Sequence, residues 1–303
     1  MESYSKKPLT FSDQLNQLIS RGLIVEDNEK ALHYLSHINY YRLSAYIYPF
    51  LRDKSNHLFK EGTTFNSILT LYIFDRELRL LVLDAIERVE ISIRTTIIYK
   101  MSHKHTPFWI QDKSLFYNEK SYLNNYQRLL DEVKRSDEEF IKHFYKKYSN
   151  EIPPSWISLE TVSFGLLSLF FKNLRSNKDQ KEIASFYGLN RMVFISWLHS
   201  LVYIRNVCAH HSRLWNRELG IQPIIPKNTN HVWLSNSESI RNDRIFFMIA
   251  VIVYFLRIIN PSSQFVYKLN KLLSNYPSVD LAPMGFPIDW KNEILFTESF
   301  IKD

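Results

Sequence analysis

Cysteine is almost missing from this chain: Cys208 is the one thiol in 303 residues. A lone thiol excludes an intrachain disulfide and CxxC metal spacing. On an apolar helical stripe it reads as a small buried hydrophobe, not a nucleophile. Without a disulfide framework, a reducing cytoplasm is the expected compartment. Glycine is equally scarce, with 6 residues, and proline contributes 11. A chain with so few places to turn, and with long uninterrupted periodic segments, is expected to be all-α. No apolar run reaches the ~20 residues of a bilayer span. The most apolar stretch, Ile245–Ile259, is shorter and holds Arg257, so it reads as a buried core helix. The N-terminus, Met-Glu-Ser-Tyr-Ser-Lys-Lys-Pro, lacks the apolar core of a signal peptide. No membrane contact is expected. P-loop, GxGxxG and GxSxG patterns are all absent. His210-His211 and His199 have no carboxylate or cysteine at ligand spacing, so no metal or cofactor is expected.

What is present is length, charge and rings. The chain is long enough for one large domain or two modest ones. It carries 38 Lys and Arg against 31 Asp and Glu, a formal charge of +7, which favours an acidic partner such as RNA. The 18 Tyr and 21 Phe suit bulky helix–helix packing.

One stretch organises the rest, Ser196–Asn216. Trp197, Leu201, Ile204 and Cys208 recur at steps of three and four, the period of a helix with one buried stripe. The core leaves His199, Arg205, Asn206, His210, His211 and Arg213 unexplained. At about 100° per residue, His199, Asn206, His210 and Arg213 fall close to one line, whereas Arg205 and His210 lie about 140° apart. One straight helix cannot easily aim both at one phosphate. Either the helix ends or bends near Ala209, or a second copy supplies the missing partner across a two-fold interface.

Along the chain, Ser12 or Asp13 is expected to cap a helix through Leu23, and a second helix starts near Asn28. The block Tyr40-Tyr41-Arg42-Leu43-Ser44-Ala45-Tyr46 interleaves aromatics with an arginine, as a base-stacking surface would, although packing of Tyr40, Leu43 and Ile47 explains it more simply. Asp53 to Gly62 reads as a polar loop. The longest helix is expected from about Thr63 to Ser102, with Leu71, Phe74, Leu78, Leu81, Ala85, Val89 and Ile93 on its packed side. Its other side carries Asp75, Arg76, Glu77, Arg79, Asp84, Glu87, Arg88, Glu90 and Arg94, ordinarily a solvated face. Tyr122 to Tyr148 reads as one or two helices with Lys134, Arg135, Lys142, His143, Lys146 and Lys147; such a face is usually solvated surface, but Lys142, Lys146 and Lys147 are the best candidates for a phosphate track. Trp156 to Asn173 is expected as one buried helix with Gly165 at a close contact. Arg175 to Lys181 reads as a polar connection, and Ala184 to Gly188 as a short helix. Asn242 or Asp243 is expected to cap the Ile245–Ile259 helix, and Gln264–Ser274 forms a last helix.

Arg205-Asn-Val-Cys-Ala-His210 resembles the Arg-x-x-x-x-His signature of HEPN ribonucleases. The longer string from Arg205 to Arg217 resembles the Abi family, the AbiD/AbiF-type abortive-infection proteins of bacteria. Ile38–Tyr46, Tyr72–Arg79 running on to Glu87–Arg94, and Ser163-Phe-Gly165 agree with the same family. The resemblance implies an all-α, HEPN-type helical bundle with additional N-terminal and C-terminal helices: an N-terminal region (1–62), a core carrying Arg205 and His210 (63–260) and a helical, Pro-rich tail (261–303). It maps the motif onto Arg205, Asn206 and His210, with His211 and Arg213 as neighbours. Glu87, Glu90 and Arg94 become supporting groups that orient Arg205 or the histidines. It further implies a homodimer, an RNA substrate and a neutralising antitoxin, either an RNA or a small protein.

Metal-free RNA cleavage needs a base for the ribose 2′-OH proton, a cation for the charging phosphate and an acid for the leaving 5′ oxygen. Histidine can be base or acid near neutral pH, and arginine offers a permanently charged fork matched to phosphate. The expected activity is therefore a metal-independent endoribonuclease leaving a 2′,3′-cyclic phosphate. The alternative is a non-catalytic RNA-binding or dimerisation module using the same basic residues.

Overall fold

The computed structural model describes residues 3, 5 and 7–297, whose regular elements are helices apart from one two-stranded ribbon. The elements are α1 (Phe11–Ser20), α2 (Asn28–His37), α3 (Tyr40–Ile47), β1 (Leu51–Asp53), β2 (Leu58–Phe59), α4 (Phe65–Lys104), α5 (Glu119–Arg135) and α6 (Glu139–Lys147). They continue as α7 (Ser155–Ser158), α8 (Phe164–Lys172), α9 (Asn177–Phe186), α10 (Arg191–Ala209), α11 (Ile245–Ile259) and α12 (Phe265–Asn275). The expected all-α class holds. The chain divides into two compact units, the first reaching Leu78 and including Leu272–Val279, the second comprising Arg79–Lys271 and the residues from Asp280. The division falls inside α4.

In the first unit, α1 packs on α2 through Leu15, Leu18, Ala31 and Leu35, all buried. Thr10, not Ser12 or Asp13, caps α1: its backbone is extended and its Oγ1 accepts from Asp13 N at 3.1 Å. Asp13 is thereby left in the first turn, where its charge suits the helix dipole. The expected loop from Asp53 contains half of a hairpin. Leu51 pairs antiparallel with Phe59, and the Asp53 carboxylate closes the turn by accepting from Ser55 N (2.9 Å) and Asn56 N (3.0 Å). Asp75 also departs from its expected solvated face. It is fully buried and accepts from Tyr46 OH at 2.5 Å.

The second unit is built around α11, whose residues from Ile245 to Leu256 are all buried. No side chain caps that helix; Arg244 stands at its N-cap, and Asp243 pairs instead with Arg241. Against it lies α10, which starts five residues before the expected Ser196 because Asn190 Oδ1 accepts from Val193 N at 3.0 Å. Trp197 of α10 packs edge-on against Tyr254 of α11, with centroids 5.3 Å apart, and its Nε1 donates to Ile224 O at 2.8 Å. α10 is the one described helix long and apolar enough to cross a membrane, yet 56% of that window is buried. It behaves as a core helix, and the Ile245–Ile259 stretch does the same.

On α4 the charged face splits. Arg88 and Asp84 form a solvated i,i+4 pair at 2.7 Å, but Arg79 and Arg94 are buried. The expected Trp156–Asn173 helix is two pieces, and Arg94 braces the break between them. Its guanidinium donates to Leu159 O, to Val162 O at 2.8 Å and to Glu90 Oε1 at 2.7 Å. The ladder itself is interrupted where Ser163 N donates to Glu132 Oε2 at 2.8 Å, and α8 restarts on the Ser163 cap. Gly165 packs less tightly than expected: an added Cβ would meet Val202 Cγ1 at 3.6 Å, an ordinary contact.

The expected polar connection from Arg175 is also partly helical, because Ser176 caps α9. Asp179, nearly buried in its first turn, accepts from Lys104 Nζ at 2.7 Å and lies 2.9 Å from His105 Nε2. Burial alone would raise its pKa, but the hydrogen bonds from Lys104 and His105 outweigh it and hold the carboxyl below the usual aspartate range. A depressed folded pKa contributes stability above the unfolded value of about 3.9 and loses it as pH falls through the folded value. Asp179→Asn should therefore lower the melting temperature at pH 7 and flatten the acid limb of a stability–pH curve below about pH 4. Thermal melts across pH 2–7 check both.

Candidate functional site

The site grows out of the end of α10. The helix stops at Ala209 with His210 as its C-cap. His211 N donates to Cys208 O (3.0 Å) and Ser212 N to Val207 O (3.0 Å), the pair of bonds that defines a Schellman cap. Such a cap requires left-handed backbone at the residue after the C-cap, and glycine usually fills that place. Here it is His211, with φ of 57°. A histidine held where glycine is favoured costs on the order of 1 kcal/mol. The helix end expected near Ala209 is thus present, five residues after Arg205 by way of the His210 cap.

Beyond the cap the chain is pinned back. Leu214 and Trp215 are buried, and Trp215 Nε1 donates to Asp280 O at 3.1 Å. Arg217 Nε donates to Tyr203 OH at 3.1 Å, its guanidinium 6.0 Å from the centre of the Tyr203 ring. No pattern in the sequence pairs Tyr203 with Arg217, although Arg217 closes the family-like string. The residues are fourteen apart, so no local period links them; only the reversal after His211 brings them together. Arg217 Nη1 also donates to Arg213 O at 3.1 Å, fixing the backbone that carries Arg213.

Within this frame His210, His211 and Asn206 are exposed, and Arg205 and Arg213 half-buried. The Arg205 guanidinium makes one long hydrogen bond among the described residues, 3.5 Å to Asn206 Oδ1, leaving most of its five donors for a ligand. A helix C-terminus presents carbonyl oxygens and a partial negative charge, which repels phosphate. Any anion held here must be held by side chains, and Arg205 and Arg213 are the permanent cations that flank the cap. His199 stands one line back on the same helix; partial burial, then the charge of Lys172, lower its pKa.

The other candidate residues lie elsewhere. Glu90 and Arg94 pair with each other, and the remaining bonds of Arg94 go to Leu159 O and Val162 O, none to Arg205 or His210. Glu87 is exposed. On α6, Lys142 lies 3.4 Å from Glu139 and 3.7 Å from Asp137. Lys147 Nζ sits 5.3 Å over the Tyr148 ring, and Lys146 is exposed. Among the described residues no group of three His, Cys, Asp or Glu side chains is placed to hold a metal ion.

A family model described as Abi-like protein matches residues 33–216. That span is more than half of the chain and ends at Asn216, just past the cap of α10. The chain belongs to the Abi-like family. Membership supports a role in abortive infection, a form of anti-phage defence. The matched span contains the Tyr40–Tyr46 block, the charged part of α4 through Arg94, Ser163 to Gly165 and the Arg205–His210 motif of this Abi-like chain. No curated protein and no solved structure matches it.

Proposed function

We propose that this Abi-like protein is a cytoplasmic, metal-independent endoribonuclease of the HEPN type, acting in abortive infection. The observation that carries the reading is the end of α10: a guanidinium with almost all its donors uncommitted beside an exposed amide, followed in the helix cap by two exposed imidazoles, one of them on left-handed backbone. One imidazole, His210, takes the 2′-OH proton as the 2′ oxygen attacks phosphorus. The P–O5′ bond breaks, a protonated imidazole gives its proton to the leaving 5′ oxygen, and a 2′,3′-cyclic phosphate remains. Arg205 neutralises the charge gained by the phosphate oxygens, and Asn206 orients phosphate or imidazole through its amide. His211 is the second acid–base candidate, and Arg213 adds positive charge.

The protein works as a homodimer in which two copies of this set face one RNA. Unrestrained cleavage would harm the cell, so an RNA or small-protein antitoxin holds it in check. Lys146 and Lys147 extend the phosphate contacts, with Lys142 weakened by its acidic neighbours. Glu87, Glu90 and Arg94 act through the scaffold.

The test is RNA cleavage by the purified full chain and by Arg205→Ala. Removing a charge-stabilising donor should slow cleavage by about 10²–10³-fold while the melting temperature stays within about 1 °C, since the side chain is half exposed and holds little else. Arg205→Lys should recover part of the rate, because the charge returns without the fork. Equal rates for wild type and Arg205→Ala would leave a non-catalytic RNA-binding module as the better reading.

A further inference from the structure

We infer that the first unit carries a groove for single-stranded RNA, separate from the end of α10. A cavity of about 1000 Å³ opens between α1, α3 and the β1–β2 turn. Phe11, Tyr40, Tyr41 and Tyr48 line it, and three of these rings remain largely uncovered: Tyr41 is 72% exposed, Tyr48 52% and Phe11 49%. Soluble proteins seldom leave so many aromatic faces open in one place without a ligand. Arg21 Nη1 donates to Tyr40 OH at 3.1 Å, and the Tyr40 and Tyr41 rings meet edge to face with centroids 6.1 Å apart. The platform is thus braced from its own side.

The charges on the lining all have one sign. Lys7 and Arg21 face the groove, and no Asp or Glu does. Lys54 adds a further cation at the rim, its Nζ 4.6 Å over the Tyr48 ring. Yet the unit is not short of acids. Asp53 is tied into its turn and Asp75 is buried, while Glu26, Asp27, Glu29 and Glu61 stand outside the lining. Open rings beside cations, with carboxylates kept away, match a chain of bases and phosphates: bases stack on aromatic faces whatever their sequence, and cations follow the backbone. A proline-rich peptide would use the rings but would gain nothing from the cations Lys7, Arg21 and Lys54 without an acid. The volume lies at the top of the roughly 300–1,000 Å³ range that holds one small molecule, which suits an extended segment better than a mononucleotide. The choice of RNA over DNA rests on the ribonuclease reading above; affinity for a single strand does not.

The experiment is fluorescence anisotropy of the full chain with a labelled 2′-O-methyl oligouridine of about 12 nucleotides. The blocked 2′ oxygen prevents internal attack, so binding is read whether or not the end of α10 cuts RNA. Tyr41→Ala and Tyr48→Ala should each weaken binding by about tenfold, and Tyr41→Phe should bind like wild type because the ring remains. Arg21→Gln should weaken binding and reduce the slope of log K against log salt by about 0.7, the contribution of one single-strand phosphate. Circular dichroism of each variant guards against misfolding, and Tyr41 is exposed enough to be replaced safely. Unchanged affinity in both Tyr41→Ala and Arg21→Gln would overturn the groove. Tighter binding of a deoxy oligonucleotide of the same length would overturn its assignment to RNA.

Discussion

His210→Ala should melt like the wild type and cleave RNA about 10²–10⁴-fold more slowly, the usual effect of removing a positioned general acid or base. Both halves follow from where the residue sits. The helix cap at this point is made by backbone groups: His210 N donates to Asn206 O at 2.9 Å, and His211 and Ser212 complete the closing bonds. The ring of His210 is exposed and is not what ends α10. Alanine keeps the C-cap and removes only the imidazole. A gel assay for rate and a thermal melt for stability check the two parts. If the site is shared between subunits, mixing His210→Ala with Arg205→Ala should regain activity, because a mixed dimer can assemble one intact set. A collapse of the melt in His210→Ala would mean that the ring holds the fold and that its loss says nothing about chemistry.

Arg94→Ala should do the opposite. Its side chain is 7% exposed and its partner Glu90 16%, and one guanidinium serves Glu90 and two backbone carbonyls of the α7–α8 break. Truncation leaves a half-buried carboxylate and two carbonyls without their donor. Breaking a buried pair in this way costs about 3–5 kcal/mol. In a unit of this size that is a drop in melting temperature on the order of 10 °C. Arg94→Lys should recover little, since one ammonium cannot span three acceptors as the planar fork does. A thermal melt decides. If Arg94→Ala melts like wild type and nevertheless fails to cleave RNA, Arg94 acts on the site directly, and its role as the brace of residues 159–162 is wrong.

How far the sequence foretold this structure depends on the range of each interaction. α4, α11 and the core stripe of α10 are local patterns, and their period was plain in the residues. The 140° offset between Arg205 and His210 already pointed to a helix end near Ala209 as one of two solutions, and Cys208 was placed correctly on the buried side. Everything that depends on a distant partner was hidden. Arg94 reads as surface charge until residues 65 and 68 positions further on, Leu159 and Val162, present their carbonyls. Asp179 looks like one acid in a polar connection until α4 brings Lys104 and His105 to it. Asp75 looks solvated until Tyr46 covers it. The residues of the α10 site stood out because they lie within a dozen positions of one another. The clasp of Tyr203 by Arg217, which needs the left-handed turn at His211, did not. The open rings of the Tyr40 block likewise became a surface feature only once α1 and the hairpin had shaped the groove beside them.

The proposed cleavage depends on internal attack by the 2′ oxygen with side chains alone as acid, base and cation. The most direct measurement is cleavage of a defined RNA by the purified wild-type protein in excess EDTA, with the ends of the products identified. Products carrying 2′,3′-cyclic phosphate and 5′-hydroxyl ends, together with a substrate that resists cleavage once a 2′-deoxy residue stands at the cut site, are the predicted result. Products with 5′-phosphate and 3′-hydroxyl ends, or cleavage that stops in EDTA and returns with a divalent cation, would contradict it.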